Sequence, residues 1–191
     1  MKQICVAFTC CLLLLTSVTT RAQTADEMKK WMDYMTPSDV HKMIAESDGE
    51  WKEEIQSWMA PNTPPTAMVA YCTNKMIMGG RYQVSTQSGD MGGMPFEGQS
   101  LMAYDNIRKV FISTWIDNMG TGMIVMEGTW DEKSKTITFT GKATDPFSGK
   151  VLPIRQLFTF VDADTQKMVM YNTTADGVEF KSLEMLLTRK K

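Results

Sequence analysis

The chain carries a single histidine, His41, and that scarcity restricts its chemistry before any fold is considered. A zinc site built on paired histidines is impossible. A Ser-His-Asp or Cys-His relay would have to pass through His41, and no G-x-S-x-G elbow exists to present a serine. No G-x-x-x-x-G-K-[ST] phosphate cradle is present, and the glycine-rich stretch 89–93 precedes no helical pattern, so nucleotide binding has no support. Adjacent carboxylates occur at Glu53-Glu54, which point to opposite sides of a strand, and at Asp131-Glu132 in a turn. Neither geometry suits acid-base work.

Other residues suit binding better. Trp115 and Asp117 share one strand face and are followed by Asn118-Met119-Gly120-Thr121-Gly122, giving an apolar wall, a polar handle and a glycine turn. The bland reading is a hairpin with a core tryptophan. Arg81 and Arg155 lie on strand patterns; an inward arginine needs a carboxylate partner, although outward exposure is commoner. His41 sits at the edge of a helical apolar stripe, as either a half-buried structural histidine or a contact at a cavity rim. Methionine is abundant, with Met91-x-x-Met94 and Met76-x-Met78 spaced as soft thioether pairs that could handle Cu(I). Most methionines fall on apolar stripes, however, where an unbranched side chain fills core gaps. No metal site and no cofactor are therefore assigned.

The first two dozen residues place Lys2 before an apolar run from about Val6 to Leu15 and end in Thr20-Arg21-Ala22, the layout of a secretory signal cut after Ala22. That run is too short to span a bilayer, and no later stretch is apolar enough to anchor the chain. Without it the chain has 18 basic against 22 acidic residues, a balance that argues against nucleic-acid or anionic-membrane partners. Cys5, Cys10 and Cys11 leave with the signal, so Cys72 stands alone and stability must come from a core. The expected organisation is a signal over 1–22, a helical segment over 23–50 and one β domain over 51–190. Asn172-Thr173-Thr174 matters as a glycosylation sequon only in a eukaryotic secretory route, and the signal has a bacterial look.

Helical and strand periods divide the remainder. Thr24 and Glu27 form a capping box, and Met28, Trp31, Met32 and Met35 recur at helical spacing, predicting a helix over Ala25 to Met35. Thr36 with Pro37 predicts the start of a second helix, striped by Val40, Met43 and Ile44 and stopped at Gly49. From Trp51 the period becomes two, and strands are predicted at roughly 51–59, 66–78, 81–87, 98–104, 109–117, 121–129, 135–142, 151–160, 166–172 and 178–188. The short links forbid parallel crossovers. An antiparallel meander of this many strands best hides its edges by closing into a barrel.

The segments TPSDVHKMIAESDGEWKEEIQSWMAPNTPP, NKMIMGGRYQ, MGGMPFEGQSLMAYDNIRKVFISTWIDNMGTGMIVMEGTW and TDPFSGK resemble a mostly bacterial, secreted family catalogued as a domain of unknown function, the DUF1579 type. That resemblance implies an all-β, lipocalin-like barrel with short N-terminal helices, and it carries no catalytic residues over. The functional expectation is an exported barrel binding a small apolar or amphipathic molecule. Residues 88–99 would act as a mobile flap, and the helices would cover one end. Candidate contacts are Trp51, Arg81, Met94, Phe96, Trp115, Asp117 and Met119, with His41 at the rim. The rival expectations are a Met-rich copper binder and a cavity enzyme using His41 or Asp117 as base; oligomeric state stays open.

Overall fold

In the computed structural model, residues 24–191 are described. The signal expected over 1–22 lies outside them. The first helix, α1 (Ala25–Met35), begins where Thr24 Oγ1 accepts the Glu27 N–H at 3.2 Å while Glu27 Oε2 accepts the Thr24 N–H at 2.8 Å. The second, α2 (Asp39–Ala45), is capped at Ser38 and not at Thr36. Thr36 instead closes α1, its hydroxyl donating to Met32 O at 2.7 Å. Pro37 disfavours helical backbone at the residue before it, and so separates the two helices. α2 also stops at Ala45, short of Gly49; a tight turn follows, and Gly49, at φ +121°, redirects the chain into the first strand.

Ten strands follow: β1 (Gly49–Ser57), β2 (Thr66–Ile77), β3 (Tyr82–Asp90), β4 (Pro95–Asp105), β5 (Val110–Asp117), β6 (Ile124–Asp131), β7 (Thr136–Thr144), β8 (Val151–Phe160), β9 (Thr165–Thr173) and β10 (Glu179–Arg189). Each pairs antiparallel with its sequence neighbour, and β1 also pairs with β10, closing an all-β barrel. Closure leaves no free edge for another chain to extend. The alternation places Trp51, Glu53 and Ile55 of β1 inside and Glu54 and Gln56 outside. On β7, Ile137 and Phe139 are buried while Thr136, Thr138 and Thr140 are more accessible.

The stretch 88–99 is not a flap. β3 continues to Asp90 and β4 starts at Pro95, so only Met91 to Met94 form a turn, closed by Met91 N–H to Met94 O at 2.9 Å. Asp90 Oδ1 accepts the Gly93 N–H at 2.7 Å. Gly92 and Gly93 supply the positive φ of a tight hairpin, so these glycines set a turn and no hinge.

The helices also divide their roles. α2 inserts Ile44 against Phe111, Met126, Ile137 and Phe139, plugging one end of the barrel. Gln83 Nε2, from the wall, donates to Ile44 O at 2.9 Å and to Asp48 Oδ1 at 2.8 Å. Ser47 O accepts from Trp51 Nε1 and Asn74 Nδ2, and Ser47 Oγ accepts from Gln166 Nε2. α1 buries no residue and is tied to the β4–β5 turn by Asn106 Nδ2, 2.8 Å from Thr36 O. Covering the barrel end thus falls to α2 alone.

Candidate functional site

Inside the barrel is a cavity of about 400 Å³, reaching from Asn74 and Gln83 near the plugged end to Met91 and Met119 at the other. Its lining is divided by strand. β1 to β5 contribute most of the polar side chains, among them Glu53, Cys72, Asn74, Gln83, Ser85, Gln87, Ser100 and Ser113, alongside Ile55, Met68, Phe96, Met102 and Trp115. β8 to β10 contribute Phe158, Met168, Met170, Leu183, Met185 and Leu187. Register explains the polar grouping: Asn74 lies opposite Ser85, Ser85 opposite Ser100, and Ser100 opposite Trp115, one inward row crossing four strands.

At the end away from α2, Trp115 lies over Gly98. A Cβ built on Gly98 would stand 2.4 Å from the indole, so only glycine leaves the ring room to lie against the wall. Phe96 stacks on it with ring centroids 6.4 Å apart. The indole N–H donates to Asp117 Oδ2 at 2.7 Å, and Asp117 Oδ1 accepts the Met119 N–H at 2.9 Å. The carboxylate is therefore fixed by two donors while still facing the lumen.

Glu53 is the most unusual group. It is completely buried, lines the cavity, and neither carboxyl oxygen has a hydrogen-bond partner. Burial raises its pKa from the ordinary 4.5 to about 7, with the nearby Cys72 thiol pulling weakly in the opposite direction. The thiol does not satisfy it, since Cys72 Sγ donates to Asn74 Oδ1 at 3.0 Å. Burial, followed by the adjacent Glu53 charge, pushes that thiol up to about 12, so it stays protonated and is no nucleophile near neutral pH.

Of the eight candidate contacts, Phe96, Trp115, Asp117 and Met119 line the cavity together. The other four do not. Trp51 is buried in a core cluster with Ile55, Ala70, Met185 and Leu187, its ring flanked by Arg189. Arg81 is exposed and donates to Met78 O at 3.0 Å, serving the β2–β3 turn. Met94 is exposed and does not line the lumen, although Met91 of the same turn does. His41 is buried between α2 and Tyr104, outside the lumen, where Nδ1 accepts the Ser38 N–H at 3.0 Å. Burial, then the Arg81 charge, lowers its pKa, so it is held neutral with its proton on Nε2. Arg155 faces outward, paired with Glu179 and stacked on Tyr171.

Sequence reasoning missed Glu53. It placed the side chains of Glu53 and Glu54 on opposite faces correctly, yet discarded both as a pair when one alone was buried. The available signal was position: Glu53 alternates with Trp51 and Ile55, so it shares their inward face.

A closed ten-stranded antiparallel barrel with a ligand-sized lumen and a helix plugging one end is of the lipocalin-like class. The chain belongs to the family described as "Protein of unknown function (DUF1579)", whose profile matches residues 36–189. No curated protein is recognisably similar to it in sequence. Among solved structures it is similar to Rv2717c from M. tuberculosis, at a TM-score of 0.62 and 12% identity, over 82% of this chain and 100% of that one. It is also similar to the S-type phycobiliprotein lyase CPES from Guillardia theta, at a TM-score of 0.56 and 10% identity, over 84% of this chain and 97% of that one. At these identities the likeness concerns the fold.

Proposed function

We propose that this protein is an exported carrier that holds a small amphipathic molecule inside its barrel. The observation carrying the reading is the uneven lumen: about 400 Å³ whose polar side chains come mostly from β1 to β5 and whose β8 to β10 side is mostly methionine, leucine and phenylalanine. That volume falls in the range of small-molecule sites, which are commonly apolar with a few placed polar groups. Eight methionines line the space, three of them on β9 and β10, and their flexible thioethers let the lining adapt to a range of apolar bodies. Trp115 and Phe96, at the end away from α2, would cover the guest.

The test uses Nile red, a neutral dye whose emission rises and shifts to the blue on leaving water. Saturable binding is expected, and Ser100→Phe, which fills the lumen from β4, abolishes it. Binding that is absent in the native protein, or unchanged by Ser100→Phe, overturns the reading. Export is tested separately by N-terminal sequencing of protein from its host, with Gln23 expected as the first residue.

A second reading, a lumen enzyme, is favoured by one observation: a buried carboxyl poised near neutrality, as a general acid or base requires. Glu53 fits that role better than the two bases expected from sequence. His41 is outside the lumen and Asp117 is held by two donors. Screening substrates with the native protein and Glu53→Gln tests it; equal rates remove Glu53 as the base. Copper handling gains no support from the paired methionines, since Met94 and Met78 are exposed while Met91 and Met76 turn inward.

A further inference from the structure

We infer that the lumen selects cationic amphiphiles: an organic ammonium group on a short apolar body, with the nitrogen bound at Glu53. The inference rests on the carrier reading and specifies the chemistry of its guest. The cavity lining includes two acidic side chains, Glu53 and Asp117, and no lysine, arginine or histidine. A fatty acid or other anion would therefore leave water without a cation or charged donor to receive it, and would meet two carboxyl groups in the lining. An ammonium meets the reverse.

Glu53 is built as a receptor for such a group. It is fully buried, faces the cavity, and both of its oxygens are unpartnered. Buried polar atoms are nearly always hydrogen-bonded, and the exceptions call for a cause. Several donors of the lining are committed elsewhere, Cys72 Sγ to Asn74, Asn74 Nδ2 to Ser47 O, and Gln83 Nε2 to Ile44 O and Asp48, and no donor of the lining reaches the carboxyl oxygens. The carboxyl's vacant lone pairs are thus the unsatisfied acceptors of the lumen, and an ammonium N–H is the donor that satisfies them with charge as well as geometry. Asp117, already accepting from the Trp115 and Met119 N–H groups, lines the cavity at the end away from α2 and draws cations inward. The methionine wall of β9 and β10 then takes the apolar body.

The prediction is tested by displacement of Nile red at pH 8, where a carboxyl with a pKa of about 7 is mostly ionised. Octylamine, octanol and octanoate each carry eight carbons and present a cationic, a neutral and an anionic head. Octylamine is expected to bind tightest and octanoate weakest. Glu53→Gln should weaken octylamine by about thirtyfold or more, as when one partner of a buried charge pair is removed, and change octanol by less than about threefold. Octanoate or octanol binding as well as octylamine, or a preference for octylamine that survives in Glu53→Gln, overturns the inference while leaving the carrier reading intact. If none of the three displaces the dye, the inference fails. If the dye itself does not bind, the carrier reading fails with it.

Discussion

Replacing Glu53 with Gln should make the protein more stable at pH 8 than at pH 4, relative to the native chain. The folded carboxyl has its pKa raised from 4.5 to about 7 by burial. A raised pKa in the folded state means that the contribution is fully present below 4.5 and is lost as pH rises through about 7, because the unfolded chain releases the proton first. At about 1.4 kcal/mol per decade of proton affinity, the whole interval is worth about 3 kcal/mol. For a domain of this size that corresponds to roughly 10 °C in Tm. Glutamine keeps the volume and cannot ionise, so it escapes the loss. Any fixed cost of burying its amide cancels in the comparison between pH values. Cys72, the titratable group adjoining Glu53, stays protonated throughout, and His41 and the surface carboxylates are common to both proteins. Urea denaturation of both proteins at pH 4, 6 and 8 is the assay. The difference between them should move by about 3 kcal/mol in favour of Glu53→Gln between the extremes. A difference flat in pH would refute the claim that this carboxyl is held out of water.

Gly98→Ala should displace the Trp115 indole, since the new Cβ would overlap it, costing about 1–3 kcal/mol and shifting tryptophan emission to the red. Unchanged emission would contradict the packing. Gln83→Ala removes the donor to Ile44 O and Asp48 and should cost about 2 kcal/mol, with faster hydrogen exchange in α2 measured by mass spectrometry. His41→Ala should cost about 1–2 kcal/mol through the lost Ser38 contact and packing, yet leave Nile red affinity unchanged. The lowered pKa of His41 makes its contribution complete above 6.5 and lost as pH falls, so this variant should also show a shallower loss of stability below pH 6.5 in the same denaturation series.

Local rules are readable from a sequence, and here they reached far. The period of two, with turn residues between short segments, located all ten strands to within a few residues, and their brief links required antiparallel neighbours. Closure followed from the need to hide edges. Trp115 and Asp117 were assignable to one face because alternation is a property of the strand itself. Glycine, by contrast, is ambiguous in one dimension: Gly92 and Gly93 serve a hinge or a tight turn equally well, and only the pairing of Asp90 with Pro95 decided for the turn.

What the tertiary structure alone decided is which inward residues face space and which face other side chains. Trp51 and Glu53 alternate on one strand face, yet Trp51 is packed into a core and Glu53 borders the cavity. His41 shares the stripe of α2 but is held against Tyr104, away from the lumen. Alternation gives a residue's direction from its nearest neighbours in the chain. Its surroundings depend on the stagger of strands brought together by barrel closure and on where α2 ends, and those are set by contacts between residues far apart in sequence. The sequence thus determined a closed β architecture with a polar and an apolar inner repertoire; the gathering of most polar groups on β1 to β5, with one unpartnered carboxyl among them, belongs to the folded barrel.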